Sequence, residues 1–198
     1  LEKQPGPERS QLGLSKKDFV FLLPSGFRPV KNLELAINAL EKLQPDFPSL
    51  RLLILGAIID KEYSQSIFNR IKDLPWVIYP GEFPHSQMYA LLSAGDVVLN
   101  TSHSEGQPQA ALEAMSLGKP CLLTAVPGNT NIIENGREGY YVENEEQLIT
   151  AARELMLNHN LRQQMGINAQ HLVEERFSIS RELDAYEKLY HQLLATSE

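Results

Sequence analysis

The stretch "DVVLNTSHSEGQPQAALEAMSLGKPCLLT", residues 96–124, decides the fold. DVVLN and CLLT are short, leucine- and valine-rich runs, the pattern of strands buried on both faces. Between them Pro108 stands where a first helical position belongs and Gly118 where a helix should stop. Ala110 to Leu117 read AALEAMSL, apolar nearly all round, with Glu113 the only charge. Two strands joined through a helix lie parallel, because a parallel pair needs a crossover connection. The unit is strand, loop, helix, strand, and its buried helix carries an unexplained carboxylate.

The same alternation extends outward. FVFLL (19–23), RLLIL (51–55), WVIY (76–79) and GYYV (139–142) read as further buried strands. Segments 32–43, 62–72 and 86–93 read as the helices between them, and Asn129–Glu134 as a short one. After the last strand, 145–158, 160–175 and 181–194 carry apolar residues at helical spacing. The expected fold is α/β: a Rossmann-like parallel sheet of about six strands with helices on both faces and a helical C-terminal tail. Residues 1–16, rich in proline, glycine and charge, read as a linker, 17–176 as the Rossmann-like body, and 177–198 as a terminal helix. In such sheets ligands sit beyond the carboxyl ends of the strands. That singles out loops 25–31, 56–61, 80–85, 101–107 and 125–130.

Composition narrows the function. Among 198 residues, 42% are hydrophobic and 22% charged, ordinary for a globular domain, and the net charge of −7 argues against a nucleic-acid partner. The single cysteine, Cys121, leaves no internal disulfide and no cysteine-based zinc site, which suits a reducing, cytoplasmic setting. No apolar run reaches the length of a membrane span; "LLILGAII" (52–59) falls well short.

A desolvated carboxylate must pair, accept hydrogen bonds or lose its charge. Glu113 is therefore either half of a structural ion pair or an acceptor for the hydroxyls of a ligand, such as a ribose diol. Glu105 ends the loop feeding the same helix, and Gly106 follows it. The first turn of that helix offers N–H groups and a favourable dipole to an anion. Backbone donors flanked by two carboxylates suit a nucleotide sugar, which has charge in its middle and hydroxyls at both ends.

Glu-Gly followed by Leu-Glu-Ala-Met, with the glutamates spaced Glu-x7-Glu, resembles the signature of retaining GT-B glycosyltransferases, and is similar to family 4, the glycosyl transferases group 1. "KNLELAINAL", "RLLILG", "AGDVVLNTSHSEGQP" and "LGKPCLLTAVPGNTNIIENGREGYYV" resemble further blocks of that family, so residues 19 to 194 are covered. The resemblance implies the donor-binding half of a two-domain enzyme that transfers a hexose from a UDP- or GDP-sugar. Its partner would be an N-terminal GT-B domain, toward which the helix of 177–198 packs. It implies Glu105 as the catalytic residue against the sugar and Glu113 on the ribose. Gly106, Gln107, Pro108 and Gln109 would hold sugar and diphosphate, with Gly128 nearby. No metal or other cofactor is implied, and the chain contains no Asp-x-Asp.

One segment departs from the pattern. The family's basic pair reads Gly-Arg, four residues, then Lys; here "PSGFRPVKN" supplies Lys31, but its arginine is Arg28, three residues earlier. Both are assigned to the diphosphate, Arg28 as a bidentate substitute. The altered loop is also the main support for a rival, a non-catalytic binding or regulatory module. An epimerase or phosphorylase of the same fold fits the Glu-x7-Glu segment less well. A dinucleotide oxidoreductase is disfavoured, because no Gly-x-Gly-x-x-Gly follows the first strand. His103, His85 and Cys121 read as a solvated loop residue, part of a turn before a helix that Ser86 would cap, and an inert core thiol.

Overall fold

The structure, a computed structural model, describes residues 6–195. Six strands form the sheet: β1 Phe19–Pro24, β2 Leu50–Leu55, β3 Val77–Ile78, β4 Val97–Asn100, β5 Cys121–Thr124 and β6 Gly139–Val142. The helices are α1 Leu33–Leu43, α2 Lys61–Ile71, α3 Met88–Ser93, α4 Gln109–Ser116, α5 Glu145–Leu157, α6 His159–Arg176 and α7 Ile179–Ala195. Every strand pairing is parallel, in the order β3-β2-β1-β4-β5-β6. The expected α/β sheet is therefore present, in the Rossmann order. The order reverses between β1 and β4, and a crevice opens at that switch point.

Strand alternation divides the core between two faces. Phe21 and Leu23, Leu52 and Ile54, and Leu122 point to a face covered by α1, α2 and α5. Val20 and Leu22, Leu53 and Leu55, and Cys121 and Leu123 point to the other, covered by α3, α4 and α6. Side-chain oxygens cap α2, α5 and α6: Asp60 accepts from Tyr63 N–H, Asn144 from Gln147 and Asn158 from Leu161.

Two local readings need correction. Pro108 is the N-cap of α4 rather than its first residue, while Gly118 stops the helix as expected. There, at φ +70°, the Gly118 N–H reaches Met115 O at 2.9 Å and the Lys119 N–H reaches Ala114 O at 3.2 Å, a Schellman ending. Asn129–Glu134 forms turns, not a helix. The Tyr141 hydroxyl takes over its backbone, accepting from Ile133 N–H and lying 2.8 Å from the carbonyls of Asn129 and Ile133. Part of the segment read as a linker packs on this body: Leu12 and Leu14 are buried with α3 and α4, and Arg9 donates to Ala94 O and Asp18 O. Residues 1–5 lie outside the described residues.

Candidate functional site

The loops leaving β1 and β4 meet at the switch point. Phe27 is fully buried, and its N–H and C=O bond Ala57 O and Asp60 N, each at 2.9 Å. This anchor leaves Arg28 exposed and starts a single 3-10 turn, Pro29–Lys31. His103 N–H then bonds Val30 O at 2.8 Å, and the Thr101 hydroxyl bonds Lys31 O at 3.1 Å. With both loops stitched together, Lys31 Nζ comes to 2.5 Å from Glu105 Oε1. Ser102 Oγ and Asn100 Nδ2 donate to the same oxygen, at 2.6 and 2.9 Å. Burial works to raise the Glu105 carboxyl; the hydrogen bonds from Lys31, Ser102 and Asn100 and the charge of Lys31 outweigh it. The group is held below its ordinary range and stays ionised at neutral pH.

A cavity of about 260 Å³ opens over this carboxylate, lined by Arg28, Lys31, Glu105, Gln107, Pro108 and Gln109 among others. The structure thus brings Arg28 and Lys31 together despite their altered spacing. Arg28 makes no ion pair among the described residues. In the loop, the N–H groups of Gly106 and Gln107 make no hydrogen bond among the described residues, whereas Gln109 N–H bonds Gln107 O at 2.9 Å and Pro108 has none to give. So only two of the four residues assigned to anion binding there present a free N–H.

Glu113 lies on the other side of the α4 N-terminus. Ala111, Leu112, Ala114 and Met115 face the core. Gln109, Glu113 and Ser116 form a stripe at helical spacing along a second cavity of about 820 Å³. Its far wall includes Arg176, Phe177 and Arg181 from α6 and α7 and the segment between them, and Gln107 and Gln109 line both cavities. Glu113 keeps 14% of its side chain exposed, and among the described residues the one partner of its carboxylate is His85, with Nε2 3.1 Å from Oε1. The carboxylate in the apolar helix is therefore an edge residue facing a cavity. His85 begins a 3-10 turn, His85–Gln87, within which Ser86 caps nothing.

Gly128 lines neither cavity. At φ +92° it packs against the backbone of Glu105 and Gly106; an alanine Cβ there would stand 2.3 Å from Glu105 O. Its place is behind the loop, as a support. His103 is exposed. Cys121 is fully buried, and burial together with the Glu138 charge pushes its thiol up, away from thiolate chemistry. The contacts of Asn100 and Ser102 with Glu105, and of His85 with Glu113, escaped the sequence reading. Asn100 and Ser102 carried one faint signal, polar residues ending an otherwise apolar strand.

A parallel sheet in Rossmann order brings a lysine, a held carboxylate and free backbone donors together at its switch point, the place where such sheets form a crevice. Residues 6–172 match the family described as glycosyl transferases group 1, and the chain belongs to that family. It is 28% identical over 170 residues to "Glycosyltransferase 1 domain-containing protein 1" of Xenopus tropicalis, covering 86% of this chain and 49% of that protein. It is also 28% identical over 191 residues to the N-acetyl-alpha-D-glucosaminyl L-malate synthase of Bacillus anthracis, covering 94% and 49%. The structure of Anabaena HepE in complex with UDP and glucose superimposes with a TM-score of 0.83 at 22% identity, over 92% of this chain and 50% of that one. The chain spans about half the length of these curated relatives. Its fold is that of one half of a GT-B structure. No helix among the described residues is long and apolar enough to cross a membrane.

Proposed function

We propose that this chain is the donor-binding half of a retaining glycosyltransferase that moves a hexose from UDP-hexose to an acceptor held by a second GT-B domain. The observation that carries the reading is the convergence of Arg28, Lys31 and Glu105 on one cavity, with Glu113 on the next. In this reading the diphosphate lies against Arg28, Lys31 and the free N–H groups of Gly106 and Gln107, the hexose against Glu105, and the ribose hydroxyls against Glu113. As the sugar–phosphate bond breaks, negative charge grows on the leaving diphosphate. Fixed cations and N–H dipoles stabilise that charge more in the transition state than before it, which lowers the barrier. Uridine is favoured over guanosine because the HepE structure holds UDP and glucose. No metal is assigned a role.

Exposed Ile179, Leu183, Tyr186 and Tyr190 form one apolar stripe on α7, which supports an N-terminal domain as the cover of that face. The buried, unreactive thiol fits a reducing cytoplasm as the place of action. The test is a calorimetric titration of this chain with UDP, GDP and ADP, repeated on Glu113→Gln. Selective binding of UDP, weakened about tenfold by loss of a charge-assisted hydrogen bond, supports the reading. Equal binding of UDP by wild type and variant would remove Glu113 from the site.

A further inference from the structure

Three donors converge on Oε1 of Glu105, namely Lys31 Nζ, Ser102 Oγ and Asn100 Nδ2. Oε2 receives none among the described residues. One carboxylate oxygen is spent on the protein, and the other remains for a ligand. The orientation of Asn100 is itself determined. Its Oδ1 accepts from the Ser102 N–H at 3.1 Å and from Asn129 Nδ2 at 3.4 Å, so its NH2 must face Glu105.

Asn129 is completely buried, and its NH2 also donates to Thr124 O at 2.9 Å. Its own Oδ1 finds no partner among the described residues. A buried amide with an orphaned oxygen is costly; what the fold gains from it is an NH2 group that pins Asn100. The Thr124 hydroxyl completes the frame by donating to Ser102 O at 2.6 Å. The ends of β4 and β5 and the two loops beyond them thus form one polar network whose outermost member is Glu105.

We propose that Asn100, pinned by Asn129, is a positioning residue that commits one oxygen of Glu105 to the protein and presents the other to the donor sugar. The inference rests on Glu105 facing the sugar. A carboxylate free to rotate could meet a hydroxyl with either oxygen; one held by three donors accepts in a single direction. Preorganisation of this kind strengthens binding of the sugar and leaves binding of the bare nucleotide alone.

The experiment is a titration of this chain with UDP and with UDP-glucose, UDP-galactose and UDP-N-acetylglucosamine. The readout is the ratio of the UDP dissociation constant to that of the tightest sugar nucleotide, measured from pH 4 to pH 8. Variants are Glu105→Ala, Asn100→Asp and Asn100→Ala, each checked for native circular dichroism. Asn100→Asp keeps size and Oδ1 but replaces the NH2 donor by a second carboxylate, so it separates positioning from packing. The expected result is that Glu105→Ala abolishes the sugar advantage and Asn100→Asp lowers it about tenfold at pH 7. In both Asn100 variants the acid-side loss of the advantage moves to higher pH, since a bond favouring the ionised form is gone. If Glu105→Ala abolishes the advantage while both Asn100 variants keep the wild-type ratio and pH profile, the positioning role is overturned and the reading of Glu105 stands. If no sugar nucleotide outbinds UDP, or if Glu105→Ala leaves the advantage intact, the reading of Glu105 falls and the inference falls with it.

Discussion

Replacing Gly128 by alanine tests how closely the loop carrying Glu105 is supported from behind. Two costs are separable. The first is conformational: φ is +92°, where an L side chain is strained by roughly 1–2 kcal/mol. The second is steric, because the new Cβ would lie 2.3 Å from Glu105 O, 2.7 Å from Glu105 C and 2.7 Å from Gly106 O. These are backbone atoms with no rotamer to yield, so relief means moving the loop, at about 1–3 kcal/mol. Gly136 provides the control: its φ is +84°, but the nearest atom to an added Cβ is Tyr140 Cε1 at 4.0 Å. Gly136→Ala should therefore show the strain alone. Urea denaturation should place Gly128→Ala about 1–3 kcal/mol below Gly136→Ala, and the sugar nucleotide should lose affinity only in the Gly128 variant. Equal destabilisation of the two, with binding intact in both, would refute the close approach.

Three further outcomes are expected. Glu105 has a folded pKa below its unfolded one, so it contributes stability above the unfolded value, and this is lost as pH falls through the folded value. The stability gap between wild type and Glu105→Gln in urea should thus be full at pH 7 and close below about pH 4.3; a gap that stays constant from pH 7 to pH 3 contradicts it. His85→Ala removes the ion-pair contact to Glu113, and because His85 is largely exposed the effect on UDP affinity should be small, about two- to threefold, with stability unchanged. A loss matching that of Glu113→Gln would instead place His85 on the nucleotide. Cys121 should resist a thiol reagent in the native chain and react only after unfolding, which a rate measured across the urea transition will show.

The parts legible in the sequence are those governed by neighbours along the chain. Apolar runs such as FVFLL and CLLT mark buried strands, Gly118 marks a helix end, and the Glu-x7-Glu spacing puts one carboxylate in the loop before a helix and the other within it. What escaped depends on partners far apart. Lys31 and Glu105 are 74 positions apart, and His85 and Glu113 are 28 apart; no periodicity pairs them. The false helix at Asn129–Glu134 has the same origin, since the hydroxyl of Tyr141 on β6 satisfies backbone groups that a helix would otherwise have claimed. Gly128 fell between the two cases. A glycine after a strand is visible in the sequence, but its closeness to Glu105 follows only from the fold.

The most direct test of the donor site is a crystal structure of this chain soaked with UDP-glucose. The expected density puts the diphosphate between Lys31, Arg28 and the N–H groups of Gly106 and Gln107, with a ribose hydroxyl on Glu113 and a sugar hydroxyl on the open oxygen of Glu105. A nucleotide bound elsewhere, with no phosphate beside Lys31 and no sugar hydroxyl on the open oxygen of Glu105, would contradict it.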